Sequence, residues 1–217
     1  MRAAPLAIAL CLVAAGCSGG GPVDRSRLID DMTHQLTRGE QVAYTADYQL
    51  AGGSRATIGQ QTQPKRAVYA YPGGMIVVEG DRQTICATQA KPAQCQVKTL
   101  PTTGPAGYSE ATRQGLMTAP VVADLLRLAL LQPSTSVKPH DATMAGQPAS
   151  CLEVSGLVDA AAPAFTACVT ADGVLASFTG LVNGVNVDQA LIEVSRKVTE
   201  DAFALPEGAQ VVDLRQS

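Results

Sequence analysis

From Gln41 the sequence takes on a period of two: Val42, Tyr44, Ala46, Tyr48 and Leu50 alternate with Ala43, Thr45, Asp47 and Gln49. Side chains of an extended chain point alternately to opposite faces, so this stretch reads as a strand with one apolar and one polar side. Gly52-Gly53 marks its end. Short extended runs follow at Arg55 to Gln61, Arg66 to Tyr71, Met75 to Glu79, Gln83 to Thr88 and Cys95 to Leu100, punctuated by Pro64, Pro72-Gly73-Gly74 and Gly80-Asp81. Turn signals at roughly eight- to twelve-residue spacing leave no room for helices between strands and predict an antiparallel meander. Strands resume at Ser136 to Thr143, Ser150 to Leu157, Phe165 to Thr170, Val174 to Val182 and Ala190 to Val198. In the last of these, Ala190, Ile192, Val194 and Val198 are expected on one face, with Leu191, Glu193, Ser195 and Lys197 opposite.

Two segments carry a helical period instead. Asp24 to Arg38 repeats Leu28, Ile29, Met32 and Leu36 at helical spacing, with Gly39 placed to end the helix. After a stretch rich in Pro, Thr and Gly at residues 101 to 115, Thr118-Ala119-Pro120 supplies a hydroxyl cap and an early proline for a helix running to Leu131. That second helix contains Val121, Val122, Leu125, Leu126, Leu128, Leu130 and Leu131, with only Asp124 and Arg127 clearly polar. A helix apolar nearly all round must be covered on most sides. The expectation is therefore an α+β fold: a curved antiparallel sheet, open as a half-barrel, with an N-terminal helix and a central apolar helix on its concave face. The formal net charge is −3 and no basic block occurs, which argues against nucleic acid as a partner.

The first residues decide the compartment. Met1 and Arg2 give a short positive start, Ala3 to Ala15 form an apolar run broken by Pro5, and small residues lead into Gly16 and Cys17. This is the layout of a secretory signal peptide over residues 1–16. The apolar run stops before the polar Ser18-Gly19-Gly20-Gly21, short of the roughly 20 residues that cross a bilayer. Val13-Ala14-Ala15-Gly16-Cys17 resembles the lipobox of bacterial lipoproteins, with Ala14 where that family usually has Leu. The resemblance implies cleavage before Cys17 and alkylation of its thiol by a diacylglyceryl group, the membrane being reached through acyl chains that each contribute ~0.8 kcal/mol per buried methylene. An ordinary secreted protein with a chance cysteine after its cleavage site is the alternative. On the lipoprotein reading, residues 17–23 form a lipidated flexible tether and residues 24–217 one domain at the extracytoplasmic face of the cell membrane.

Of six cysteines, Cys11 leaves with the signal and Cys17 is alkylated, so Cys86, Cys95, Cys151 and Cys168 remain. An even remainder suits an oxidising compartment. Cys86 and Cys95 flank Gln89-Ala90-Lys91-Pro92, while Cys151 and Cys168 flank Asp159 to Ala162. Four cysteines allow three pairings, and local pairing across each hairpin is the expected one. Each bridge contributes about 3 kcal/mol in the chain-entropy account. A metal site or a redox pair is the alternative, without Cys-x-x-Cys spacing to support it.

Catalytic chemistry finds little footing. Gly107-Tyr108-Ser109-Glu110-Ala111 falls one residue short of a hydrolase nucleophile elbow and lacks a preceding strand. His34 falls on the amphipathic helix and His140 after Lys138-Pro139. No phosphate-cradling loop and no metal-spaced carboxylate cluster occurs, so neither enzymatic activity nor a cofactor or metal is expected.

The order of signal, lipobox, helix, meander, apolar helix and further strands resembles the half-barrel proteins of the outer-membrane lipoprotein carrier superfamily, which includes actinobacterial and mycobacterial lipoproteins that hold or move lipids. The closing stretch Phe203 to Leu214 is similar to the end of many of them. The resemblance implies a non-enzymatic envelope protein that binds or carries a lipid or other apolar ligand; an envelope protein–protein interaction or sensor module without a lipid is the alternative. The expected lining is Tyr44, Tyr48, Tyr69, Tyr71, Ile76, Val78, Leu125, Leu128 and Phe178. Whether the concave face is a filled core or a cleft is left open by sequence.

Overall fold

The computed structural model describes residues 24–101 and 105–215. The expected signal peptide, Cys17 and the tether lie outside the described residues.

Helix α1 spans Arg25–Gly39, and the Asp24 side chain caps it by accepting the Ser26 N–H at 3.0 Å. Its apolar spacing buries Ile29, Met32 and Leu36. Six strands follow in order: β1 (Tyr44–Gln49), β2 (Arg55–Thr62), β3 (Lys65–Tyr71), β4 (Gly74–Glu79), β5 (Arg82–Ala87) and β6 (Gln94–Thr99). Each pairs antiparallel with the next. A short helix α2 (Ser109–Arg113) and helix α3 (Ala119–Leu131) lead to β7 (Ser136–Met144), β8 (Gln147–Ser155), β9 (Ala164–Thr170), β10 (Leu175–Val182) and β11 (Val185–Ser195), a second antiparallel meander. The last strand, β12, is Gln210–Asp213.

All twelve strands form one open sheet in the order β12-β6-β5-β4-β3-β2-β1-β11-β10-β9-β8-β7. The two meanders meet where β1 pairs with β11. This order explains the central helix. The chain leaves the first meander at its far edge, β6, and must reach the opposite edge, β7, before winding back to the middle, so the connection has to traverse a face of the sheet. Helix α3 is that connection, and its buried Val121, Val122, Leu125, Leu126 and Ala129 fill the concave side together with α1. The second meander curls until β7 approaches β11. No helix among the described residues is long and apolar enough to cross a membrane.

The main core lies on the concave face and smaller clusters on the convex one. Both disulfides, Cys86–Cys95 and Cys151–Cys168, join residues directly opposite in antiparallel pairs, with Cα atoms 4.0 Å apart in each. The strand parity that turns Leu152 and Val154 inward turns Cys151 to the convex side, beside Ala149 and Ala176.

The structure departs from expectation in three places. Strand β11 starts at Val185, and its inward residues are Val187, Gln189 and Leu191, not Ala190 and Ile192. Tyr48 pairs with Leu191 but Asp47 with Glu193, so Ile192 is an extra residue, and the bulge flips the alternation before Val194 returns to the core side. Thr118 occupies the N-cap position of α3, but its hydroxyl makes no capping bond and is buried without a partner. Finally, β12 is unanticipated and runs parallel to β6. To reach it, the chain crosses the convex face, where Phe203 packs on Val68 and Val77 and the Arg66 guanidinium lies 4.0 Å over its ring. Arg66 also donates to Gln61 and pairs with Glu200.

Candidate binding cleft

The concave face is filled in one half and open in the other. Under β8–β10, Phe165 and Phe178 stack with ring centroids 5.4 Å apart, packed in the core with Leu152, Val154 and Val187. Over the first meander a cleft of about 450 Å³ remains, within the range of small-molecule sites. Its floor is Tyr44 and Tyr48 of β1, Ile58 and Gln60 of β2, Ala67 and Tyr69 of β3 and Val78 of β4. The C-terminal end of α1 (Leu36, Gly39, Glu40) and the N-terminal half of α3 (Ala119, Pro120, Ala123) form its roof, and Leu100, Pro101 and Tyr108 close one side.

Local sequence explains why the helices stop where they do. Gly39 packs so closely on Gly173 of the β9–β10 turn that a Cβ on Gly39 would stand 2.1 Å from the Gly173 carbonyl oxygen. Gln35 donates to the Thr170 carbonyl at 2.7 Å beside it. The Gln60 amide donates to the carbonyls of Gly39 and Val42, both at 2.8 Å, and so fixes the end of α1 over β2. On the other side, Gln189 is wholly buried. Its side chain accepts from the Met117 N–H at 2.7 Å and donates to the Met117 carbonyl at 3.3 Å, holding the entry to α3 against β11.

The lining combines aliphatic and phenolic side chains with polar and charged residues. Tyr48 donates its hydroxyl to the Leu175 carbonyl at 2.8 Å, and Tyr69 meets Tyr108 edge to face at 5.1 Å. Burial pushes the phenols of Tyr44, Tyr48, Tyr69 and Tyr108 above their ordinary value, and the Glu40 carboxylate adds to the rise at Tyr44, Tyr69 and Tyr108. They are neutral hydroxyls, able to donate or accept but not to serve as anionic nucleophiles. The charged residues of the lining are paired: Glu40 with Lys65 at 3.8 Å, Asp124 with Arg127 at 2.6 Å, and Arg66 with Glu200.

Four of the nine expected lining residues, Tyr44, Tyr48, Tyr69 and Val78, face this cleft. The other five, Tyr71, Ile76, Leu125, Leu128 and Phe178, belong to the packed core. Sequence reasoning missed Tyr108, the only aromatic between Tyr71 and Phe165, because its surroundings read as a turn. Ser109, His34 and His140 are all exposed and none lines the cleft. His140 lies within 4.8 Å of the Cys151 and Cys168 sulfurs, but those sulfurs are bonded to each other and are not thiolate ligands.

Fold, bridges and cleft together define an extracytoplasmic α+β protein that keeps a recess between an open sheet and the helix laid on it. No protein-family model matches the sequence, and no curated protein is detectably similar to it. Among solved structures, the chain is similar in fold to an uncharacterized conserved protein from Thermus thermophilus, with a TM-score of 0.53 at 14% identity over 85% of this chain and 98% of that one. MucB aligns less well, with a TM-score of 0.45 at 14% identity over 86% of this chain and 66% of MucB. At such identities the likeness is one of fold alone.

Proposed function

We propose that the protein is a non-enzymatic lipoprotein of the cell envelope, held at the membrane through Cys17, and that its cleft binds a lipid or other apolar molecule. The observation that carries this reading is the cleft itself: about 450 Å³ over an aliphatic and phenolic floor, with the charged residues of its lining held in ion pairs. Such a lining rewards an apolar body by burial and accommodates a single polar group through the tyrosine hydroxyls. The mouth suits a ligand whose polar end stays near water.

The test is native mass spectrometry of protein released from membranes, paired with the variant Ala123→Phe. Ala123 is buried on the cleft roof, so a phenyl ring there occupies ligand space. The wild type should carry a co-purifying apolar molecule, and the variant should lose at least about ten-fold of it, the ratio that 1.4 kcal/mol of binding represents, while keeping its far-UV circular dichroism. A wild type free of ligand that also fails to take up a fluorescent fatty acid would overturn the reading; a stable protein partner in crosslinked membranes would then replace it with an interaction module.

A further inference from the structure

The end of the molecule opposite the cleft mouth is built from apolar tips. Leu131 ends α3 at 77% exposure, Val158 sits in the β8–β9 connection at 62%, and Leu181 lies near the end of β10 at 54%. Hydrogen bonds tie these elements into one surface. The Gln132 side chain donates to the Val158 carbonyl at 2.9 Å and accepts its N–H at 2.8 Å, and the Asn183 N–H donates to the Ala161 carbonyl at 2.7 Å. Across residues 128–133, 156–164 and 181–185 the sole charged side chain is Asp159.

The same end is where the chain enters the domain. Arg25, the first residue of α1, donates to the carbonyls of Ala129 at 2.9 Å and Gln132 at 2.8 Å, so its guanidinium closes the C-terminus of α3. Fully extended, residues 17–23 reach at most about 24 Å. A bilayer holding Cys17 therefore lies within that distance of Arg25, at the same end as the apolar tips, and the cleft mouth is set about 22 Å away from that point along α1.

We infer that this apolar end is a membrane-docking surface: Leu131, Val158 and Leu181 rest in the interfacial layer of the bilayer that anchors the protein, and the cleft opens at the far end. The inference rests on the proposed anchor at Cys17. An exposed apolar patch on an otherwise soluble domain calls for a cover, and the length and starting point of the tether make the lipid surface the nearest one. With Asp159 and the carbonyl-bound Arg25 the charged groups at this end, docking is driven by apolar burial and is only weakly sensitive to salt.

The chain has no tryptophan, so one introduced indole is a clean reporter. The acylated full chain carrying Val158→Trp is reconstituted into phosphatidylethanolamine–phosphatidylglycerol vesicles containing brominated-acyl phosphatidylcholine. Leu131→Trp serves as a second reporter at an exposed site, and Ala171→Trp in the β9–β10 turn, beside the other end of α1, is the control. Both tip reporters should lose half or more of their emission while the control keeps its own. Vesicle flotation with unquenched tips, or with equal quenching of tip and control, overturns docking and leaves the anchor standing. Protein that neither floats nor carries acyl mass on its Cys17 peptide overturns the anchor and, with it, the docking.

Discussion

Gln189 is a wholly buried polar side chain on β11, and both ends of its amide are matched by the backbone of Met117. Replacing it by leucine keeps the volume but leaves a buried N–H and C=O unpaired, so Gln189→Leu should destabilise by about 1–3 kcal/mol in denaturant titration and loosen the α3 entry. Thr118 gives the opposite expectation. Its hydroxyl is buried without a partner, and Thr118→Val removes that orphan at almost constant volume, so the variant should be as stable as the wild type or more so. The sequence rule that places a hydroxyl at a helix start identified the right position, but Pro120 at the second helical residue has no N–H to offer it. At Gly39 a methyl group would collide with the Gly173 backbone, and neither partner is a flexible side chain able to give way. Gly39→Ala should therefore cost about 1–3 kcal/mol, typical of overpacking. The tyrosines couple this packing to pH. Burial pushes Tyr71 up to about 12 and raises Tyr44, Tyr48 and Tyr69 as well, so above pH 10 the unfolded chain ionises its phenols while the folded one resists. Stability from these groups is intact below pH 10 and is lost progressively as pH rises through the folded-state values; tyrosinate absorbance should appear together with unfolding and not before it.

At the scale of elements, the alternation from Val42 to Leu50 and the regular glycine and proline turns were enough to place β1 to β6 within a residue or two, because each of those strands has one buried face and short, local turns. The disulfide geometry follows from the same register, since Cys86 and Cys95 are directly opposed. What the sequence hid is non-local. The bulge at Ile192 depends on how β11 meets β1, a strand more than a hundred residues earlier, and alternation within β11 alone points the wrong side chains inward. Strand β12 has all four side chains exposed, so it carries no amphipathic period, and its parallel pairing with β6 depends on the chain crossing the convex face first. The cleft was half legible for the same reason: Tyr44, Tyr48 and Tyr69 lie on strand faces that read as inward, whereas Tyr108 is brought in by a connection of no regular period. The convex crossing makes its own prediction. Phe203 is buried against Val68 and Val77 under the Arg66 guanidinium, and Phe203→Ala removes the one large side chain that holds it. A loss of about 3 kcal/mol is expected, with faster amide exchange in Gln210–Asp213 as the sign that β12 has lost its guide.

At the scale of the whole molecule, the sheet order forces the two sides of the protein apart in role. The long connection from one edge to the other puts α3 on the concave face, and α1 lies antiparallel to it, so that the start of the folded domain and the end of α3 share one end while the cleft mouth occupies the other. The described residues close the start of α1 themselves: Asp24 caps it, and Arg25 is held by carbonyls of α3. Loss of the proposed acyl group should therefore separate location from folding. Only a thiol accepts the diacylglyceryl group, so Cys17→Ser should abolish incorporation of labelled fatty acid and retention in the membrane fraction. The thermal midpoint of the domain and both disulfides in non-reducing peptide maps should stay unchanged, because Cys17 is absent from both bridges. Ligand binding by the released protein should also persist, since among the described residues the cleft is closed by Leu36, Ala123 and Tyr108. A Cys17→Ser protein that still incorporates fatty acid and still partitions with detergent would show that the attachment lies elsewhere in the chain, and the orientation of cleft and tips relative to the bilayer would have to be built from that other point.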